Sequence, residues 1–219
     1  MEQTIKVEYR HTNDVPQAID WLRELSTYPI IACDFETALK YTDEERKTLL
    51  EQSEDESLPH LDRMQAKAKY NATALDHPSH TVITHLSVAI SDHEATVIIV
   101  DSKEMEEVVL DFLTATSTKQ VWHNATYDFY HIYYRTGEFP LNYEDTRVYY
   151  KTLLNHVDID KALVGLKQLA GHVYGAWGIS NDQFNVSQMY DPGMLLYAAT
   201  DACATMWLYN KLLRNVENG

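Results

Sequence analysis

Cysteine is scarce in this chain, and the spacing that would suggest a zinc site is missing. The 219 residues contain two cysteines, Cys33 and Cys203, whose separation fits no zinc-binding pattern. Both stand in apolar stretches, which indicates buried thiols in a reducing compartment. The sequence alone leaves a disulfide between them open.

Positive charge is also in short supply. Lys and Arg number 18 against 33 Asp and Glu, so the formal net charge is −15. Such a charge keeps a protein in solution but repels phosphate backbones at long range. A protein of this charge that acts on nucleic acid would therefore need local positive charge, such as bound metal cations.

Long hydrophobic runs are absent as well. No apolar segment approaches the roughly 20 residues needed to span a bilayer, so we expect no membrane association. The first ten residues, MEQTIKVEYR, have neither a basic nor an apolar leader region, so we expect no signal peptide. What is present suits a globular core: 45% of the residues are hydrophobic, and the length fits a single domain with room for an insertion.

Strand and helix signals follow one another along the chain. The stretch TIKVEY (4–9) predicts a first strand, and Asn13 or Asp14 can cap a helix with Pro16 in its first turn. Further strands are predicted for IIACDFE (30–36), TVITHLSVAIS (81–91), EATVIIVD (94–101) and KQVWH (119–123), with the middle two forming a hairpin. Further helices are predicted over 102–115, from Ala125 onward, and over 145–154, 163–172 and 193–216. This mixture indicates an α/β fold, a mixed β-sheet flanked by α-helices.

Residues 41 to about 80 differ in character from the rest. Acidic and basic residues alternate there, apolar residues are sparse, and a turn is expected at Ser57–Pro59. The pattern predicts an acidic insertion of two short exposed helices. One interpretation is a helical hairpin with no chemical role, and the other is a docking element or a flap over a substrate.

Two carboxylates share one face of a predicted core strand. Asp34 and Glu36 are separated by one residue, so on a strand they point to the same side. Two like charges so close, and their burial, both raise the pKa of each group. A divalent cation between them would relieve this cost. The alternative is a chance pair at an exposed strand end.

A third carboxylate, Asp128, lies in the segment VWHNATYDFYHIYY (121–134). It is predicted in the first turns of a helix, where an acid also complements the helix dipole. His123, Asn124 and Tyr127 around it resemble a site more than a cap. Asn124 is itself a candidate N-cap, and His123 is a candidate either for substrate contact or for a structural hydrogen bond.

A fourth carboxylate follows a tyrosine near the end of the chain. Tyr197 and Asp201 in LLYAATDACATMWLYNKL (195–212) are four residues apart, so they share one face of a helix. The alternative is a core tyrosine beside a solvated aspartate.

The remaining charged residues have simpler interpretations. Asp145, in YEDTRVYY (143–150), is predicted as an N-cap rather than a ligand. Four basic residues on nearby helices could line the path of a nucleic-acid strand, but a solvated basic face is the default: Arg147, Lys151, Lys161 and Lys167.

In order, the three segments resemble the signature of the DEDD 3′-to-5′ exonucleases in their tyrosine-containing (DEDDy) branch, which have an RNase H-like fold. The likeness is greatest to the proofreading exonuclease domain of family A DNA polymerases, and RNase D-like enzymes are more distant. The segments YEDTRVYYKTLL (143–154) and ALVGLKQLAGHVYG (162–175) resemble the helices that follow the second motif in that family. We therefore expect one exonuclease domain over 1–219, with an insertion at about 41–80. Since no polymerase domain follows, the sequence suggests a free-standing exonuclease or a fragment.

The resemblance implies a role for each motif residue. Asp34 would bridge two ions of Mg²⁺ or Mn²⁺, Glu36 and Asp201 would complete the first metal site, and Asp128 would hold the second. Tyr197 would orient the attacking water rather than act as a base, since a tyrosine hydroxyl is neutral at pH 7. Four residues would touch the substrate, with Tyr127 as a candidate for stacking and Leu39 as a wedge at the end base: Thr37, Leu39, Asn124 and Tyr127.

The resemblance also implies function and partners. We expect hydrolysis of a single-stranded or frayed 3′ end of DNA to nucleoside 5′-monophosphates, by a proofreading or DNA-processing subunit that a separate DNA polymerase could tether. The expected location is the cytoplasm of a bacterial or phage-infected cell. Two alternatives stay open, an RNase D-like RNA 3′-exonuclease and a non-catalytic module that binds nucleic acid or a polymerase.

Overall fold

A six-stranded mixed sheet forms the middle layer of the computed structural model, which describes residues 4–73, 77–153, 164–175, 177 and 186–217. The strands in these ranges are β1 (Glu8–Thr12), β2 (Ile30–Leu39), β3 (Thr81–Ala89), β4 (Glu94–Ile99), β5 (Lys119–Trp122) and β6 (Tyr143–Asp145). The α-helices in these ranges are α1 (Val15–Leu25), α2 (Asp43–Glu54), α3 (His60–Thr73), α4 (Lys103–Ala115), α5 (Thr126–Thr136), α6 (Thr146–Leu153), α7 (Leu166–Tyr174) and α8 (Pro192–Glu217). The α/β architecture predicted from the sequence is confirmed.

Strand β2 lies in the interior of the sheet, whose strand order is β1-β4-β3-β2-β5-β6. It pairs antiparallel with β3 from Ala32 to Leu39, and β5 runs parallel to it only from Ile30 to Ala32. Beyond Ala32, this edge of β2 is open to another element. The register against β3 shifts between Glu36 and Thr37, an irregularity of the kind that re-aims side chains beside functional sites.

The two faces of the sheet are covered by different helices. One apolar cluster joins β2 residues such as Ile31, Cys33 and Phe35 to α1, α4 and α5. The other joins Ala32 to the buried side of α7 and α8, including Cys203. The two cysteines are buried free thiols on opposite faces of the sheet, so they do not form a disulfide.

Helices α2 and α3 lie between β2 and β3 in the chain, where the sequence predicted two helices. The Thr42 side chain accepts from the Glu45 N–H, and the Glu45 carboxylate accepts from the Thr42 N–H, so a capping box starts α2. Helices α2 and α3 pack mainly against each other. Among the described helices, none combines the length and the apolar character that a bilayer crossing requires.

Two strand predictions were wrong. The first strand begins at Glu8, because Ile5 donates its N–H to Val173 O of α7 at 2.9 Å instead of joining the sheet. Strand β6 was missed, since three residues are too few to show a period, and the predicted helix over 145–154 begins only at Thr146. The other predicted elements match within a few residues, although position 163, where one helix was expected to begin, lies outside the described residues.

Candidate active site

Three carboxylates converge where α8 crosses β2. Asp34 and Glu36 project from the same face of β2, as strand alternation requires, and Asp201 projects from the middle of α8. One oxygen from each carboxylate lies within 4.8 Å of the others. The third carboxylate of this group, Asp201, therefore comes from a position more than 160 residues after Asp34 and Glu36 in the chain.

Burial and mutual repulsion disturb the titration of this cluster. Burial is the largest cause that raises the pKa of Asp34, and the charges of Glu36 and Asp201 raise it further. The pKa of Glu36 is raised by burial and then by Asp201, and that of Asp201 is raised by burial. Without a cation, burial therefore disfavours the charged form of each group.

Asp128 reaches the same region from α5, across the open edge of β2. Burial is the largest cause that acts on the pKa of this carboxylate and raises it to about 7, whereas the backbone N–H groups of Asp128 and Phe35 lower it. Asp128 also raises the pKa of Asp34 and Glu36, so the four predicted carboxylates share one electrostatic environment.

Tyr197 lies one turn before Asp201 on α8, and its hydroxyl is near enough to the Asp201 carboxylate to lower the pKa of that group. Burial, followed by the charges of Asp201 and Glu36, raises the pKa of this hydroxyl. It is therefore neutral near pH 7 and suited to orient a water molecule.

Two residues that sequence reasoning did not place in the site contact this group. The Lys167 ammonium donates to the Tyr197 hydroxyl, stands 4.2 Å from the centre of its ring, and lowers the pKa of Asp34, Glu36 and Asp201. Trp177 Nε1 donates to Asp201 Oδ1 at 2.5 Å. Nothing in the local sequence signals either contact, because both depend on how α7 and the segment after it pack against α8. Lys161, from the same basic group as Lys167, lies outside the described residues.

Two of the four predicted substrate residues contact each other, and the other two have different surroundings. Thr37 and Tyr127 are joined through their hydroxyls at 2.7 Å, beside the carboxylates. Leu39 is half-buried at the last paired position of β2, opposite Thr81. Asn124 has a left-handed backbone (φ +67°), and its side-chain oxygen accepts from Arg147.

The predicted N-cap role of Asn124 was wrong. Ala125 occupies the N-cap position of α5 and makes no side-chain capping bond. The Asp145 carboxylate instead accepts the N–H groups of Asn124 and Ala125 at 3.0 and 2.9 Å, and that of Arg147 at 2.8 Å. Asp145 thus caps α6, as predicted, and also fixes the start of α5.

His123 has a structural role. Its ring nitrogens contact Thr146 Oγ1 at 2.8 Å and Val164 O at 3.0 Å, so both positions are occupied. Of the two open interpretations of this residue, the hydrogen-bonding one agrees with the structure.

The donor set fits a hard divalent cation. Glu36 Oε1 is buried and has no hydrogen-bond partner among the described residues, although a buried oxygen rarely remains unpaired. It belongs to a group of carboxylates that raise one another's pKa. Carboxylate oxygens are the ligands that Mg²⁺ and Mn²⁺ prefer, and a cation would satisfy the unpaired atom and offset the repulsion.

A mixed sheet carries these acidic residues beneath a long helix, and sequence comparison assigns the chain to a family. Residues 84–217 match the model of the 3′-to-5′ exonuclease domain found in DNA polymerases of the A type. The chain belongs to this 3′-to-5′ exonuclease family, as a DEDDy enzyme with an RNase H-like fold. The match includes Asp128, Tyr197 and Asp201, whereas Asp34 and Glu36 precede it. The family implies dependence on divalent metal ions.

Solved structures share the fold at low sequence identity. NrnC of Brucella melitensis with bound Mg²⁺ has a TM-score of 0.57 at 15% identity, over 99% of this chain and 83% of that one. RNase D of Escherichia coli has a TM-score of 0.60 at 13% identity, over 97% and 46%. The Trypanosoma brucei RNase D complex with RNA U12 has a TM-score of 0.62 at 16% identity, over 95% and 63%. Among curated proteins, none matches the sequence of this chain.

Proposed function

We propose that this exonuclease removes nucleotides from the 3′ end of DNA by a two-metal mechanism and releases nucleoside 5′-monophosphates. One observation carries the proposal: three carboxylates, two half-buried and one buried, bring oxygens within 4.8 Å of one another, and one of these residues has an oxygen without a partner among the described residues. Such an arrangement is costly unless cations bind to it.

Four carboxylates would hold the metals. Asp34 would bridge the two ions, Glu36 and Asp201 would complete the first site, and Asp128 would serve the second. Bound ions of this kind lower the pKa of a water molecule and neutralise charge on a phosphoryl group. Mg²⁺ or Mn²⁺ would suit these oxygen ligands.

Tyr197 and Lys167 would position the reacting groups. The neutral Tyr197 hydroxyl can hold the attacking water through a hydrogen bond, and its contacts with Asp201 and Lys167 restrict its rotation. The Lys167 ammonium adds positive charge beside the carboxylates, in a protein whose net charge opposes phosphate binding.

Thr37 and Tyr127 would touch the terminal nucleotide. Their joined hydroxyls lie on β2 and α5, and these elements also carry Asp34, Glu36 and Asp128. Asn124 would contribute from just before α5, and Leu39 from the end of β2 as a wedge at the end base. The substrate would be a single-stranded or frayed 3′ end.

RNA is the second candidate substrate. The Trypanosoma brucei neighbour was solved with RNA U12, and the Escherichia coli neighbour is described as an exoribonuclease involved in structured RNA processing. The DNA proposal is supported by the family model, whose type occurs in DNA polymerases. The same carboxylates serve both proposals, so a comparison of DNA and RNA substrates distinguishes them.

A separate DNA polymerase is the proposed partner, and the helical insertion is its proposed dock. Tethering would raise the effective concentration of a small exonuclease at the primer end. We further propose that residues 1–219 form one exonuclease domain with an insertion at 41–80, acting in proofreading or DNA processing in the cytoplasm.

Release of mononucleotides from matched, internally labelled DNA and RNA oligonucleotides tests the proposal. Reactions contain Mg²⁺, Mn²⁺ or a chelator, and compare the wild type with Asp34→Ala and with Asp111→Ala, an exposed carboxylate on α4 across the sheet. Stepwise loss from the 3′ end of DNA, abolished by chelator and by Asp34→Ala alone, is expected. Preference for RNA would favour the second candidate, and equal activity of Asp34→Ala would contradict the site.

A further inference from the structure

Five aromatic rings meet where the insertion joins α5. The ring of Tyr41 lies 5.7 Å from that of His80, and His80 lies 6.1 Å from His77. His77 in turn makes edge contacts with Tyr130 at 5.4 Å and Tyr134 at 5.5 Å. We call these five residues the aromatic ridge.

The ridge is at the surface and does not belong to either apolar cluster. Tyr130 and Tyr134 are 45% and 51% exposed, and the other three rings are half-buried. Single exposed aromatic residues are ordinary, but a contiguous group of them marks a surface that binds something.

The ridge is continuous with the candidate active site. Tyr127, Tyr130 and Tyr134 are spaced by three and four residues, so they form one stripe along α5. The stripe begins at Tyr127, whose hydroxyl meets Thr37 beside the carboxylates. The chain of β2 also runs from the carboxylates toward the ridge. Tyr41 follows Glu36 by five residues, which in an extended chain span on the order of 15 Å.

The chemistry of the ridge suits the bases of a single strand. Flat rings stack on bases of any sequence, and stacking does not require positive charge. This matters in a chain with a net charge of −15, which cannot follow a phosphate backbone through basic residues alone. One positive charge is near the ridge. Lys40 Nζ donates to the backbone oxygen of Ser79, a residue that lies between His77 and His80 in the sequence.

We propose that the aromatic ridge is a binding site for the bases of a single-stranded nucleic acid upstream of its 3′-terminal nucleotides. The strand would pass from the carboxylates over Tyr127 and onto the ridge, whose far side is built by the ends of the insertion. This inference rests on the proposed function, because it takes its polarity from a 3′ end at the carboxylates.

The test compares a double variant, Tyr130→Ala with Tyr134→Ala, with a matched control. Tyr133→Ala removes a tyrosine of the same helix with 49% exposure, but its ring stacks on Phe139 at 4.7 Å, away from the ridge. A second double variant, Tyr130→Phe with Tyr134→Phe, keeps the rings and removes the hydroxyls.

Two readouts separate the ridge from the catalytic proposal. Fluorescence anisotropy in chelator measures the affinity for a labelled 12-nucleotide strand without hydrolysis. Kinetics in Mg²⁺ give the ratio of kcat/KM for the 12-mer to that for a dinucleotide, which is too short to reach the ridge. A wild type that binds the 12-mer but cuts neither substrate would count against the proposed function and not against the ridge.

The double alanine variant is expected to bind the 12-mer at least about fivefold more weakly per ring removed, and its kcat/KM ratio should fall in step. The double phenylalanine variant and Tyr133→Ala should match the wild type. Unchanged affinity of the double alanine variant for the 12-mer would overturn the proposal. A protein partner would then be the next candidate to bind the aromatic ridge. An equal loss in Tyr133→Ala would overturn it as well.

Discussion

Successive residues of strand β2 face two opposite environments. Ile31, Cys33 and Phe35 point into an apolar cluster beneath α1, α4 and α5. Asp34 and Glu36 point to the other face, beneath α8, where Asp201 meets them. The change from one environment to the other takes one residue, because strand side chains alternate.

The two faces contribute in opposite ways to the stability of the metal-free protein. Burial of the apolar face stabilises the fold through the hydrophobic effect. Burial of the carboxylate face opposes folding when the groups are charged, as the raised pKa of each one records. Substitutions on the two faces should therefore have opposite effects on activity and stability, and the predictions below test this contrast.

The largest effect is expected for Asp34→Asn compared with its neighbour Phe35→Leu. Asp34→Asn removes the proposed bridging ligand, so mononucleotide release should fall on the order of 1,000-fold. At pH 8 the same change should raise the melting temperature of the chelated protein, because it removes a carboxylate whose charged form is disfavoured by burial and by Glu36. Phe35→Leu should keep measurable activity but lower the free energy of unfolding by about 1 to 3 kcal/mol.

Nuclease assays and urea denaturation of both variants check this contrast. A destabilised Asp34→Asn protein, or an inactive Phe35→Leu protein that remains folded, would contradict the assignment of the two faces. Cys33→Ala offers a second control on the apolar face, with a smaller loss of stability expected from its smaller side chain.

The next effect concerns pH and metal removal. A carboxylate with a raised pKa binds its proton more tightly in the folded state, so its contribution to stability is present below its ordinary pKa and is lost as pH rises through the folded value. For Asp128 this window runs from its ordinary value of 3.8 to about 7. The melting temperature of the chelated protein should therefore fall between pH 5 and pH 8, and Mg²⁺ should restore it most at pH 8.

Asp128→Asn should flatten this pH dependence, whereas Asp111→Asn, at an exposed position, should leave it unchanged. Differential scanning calorimetry at several pH values with and without chelator measures both. A melting temperature that does not depend on Mg²⁺ at pH 8 would argue against cation binding by these carboxylates.

The contrast between the faces also explains what sequence reasoning could reach. Periodicity places Asp34 with Glu36 and Tyr197 with Asp201, since these pairs share a face within one strand or one helix. Lys167 and Trp177 escape such reasoning, because they meet α8 only through tertiary packing. Strand β6 was also missed because it depends on tertiary pairing. Its three residues form a strand because they pair with β5.

A smaller effect is expected from substituting Lys167, whose positive charge lies beside the carboxylates beneath α8. Lys167→Met should lower kcat by about 10-fold or more, as for other residues that orient the groups around a metal, and Lys167→Arg should recover part of the loss. Removing the ammonium also removes a charge that lowers the pKa of Asp34, Glu36 and Asp201. The decline of the melting temperature with pH in chelator should therefore become steeper.

A residue with a purely structural role would lower the melting temperature equally at every pH. Melting curves of Lys167→Met at pH 5 and pH 8, together with steady-state kinetics, distinguish the two cases. Lys151→Met provides the matched control, since Lys151 is an exposed lysine on α6. Parallel pH profiles for the wild type and Lys167→Met would remove Lys167 from the site.

The smallest effect on chemistry is expected from deleting residues 43–76, whose helices α2 and α3 belong to neither apolar cluster. Helices α2 and α3 pack mainly against each other, and the Lys40 N–H already bonds His80 O at 2.8 Å, so the ends of the deletion are close. Hydrolysis of a dinucleotide should change by no more than about twofold. Association with a purified polymerase partner, measured by surface plasmon resonance, should weaken if the insertion is the dock. Equal association of the deleted and intact proteins would contradict that role, and a large loss of dinucleotide cleavage would instead make the insertion part of the catalytic site.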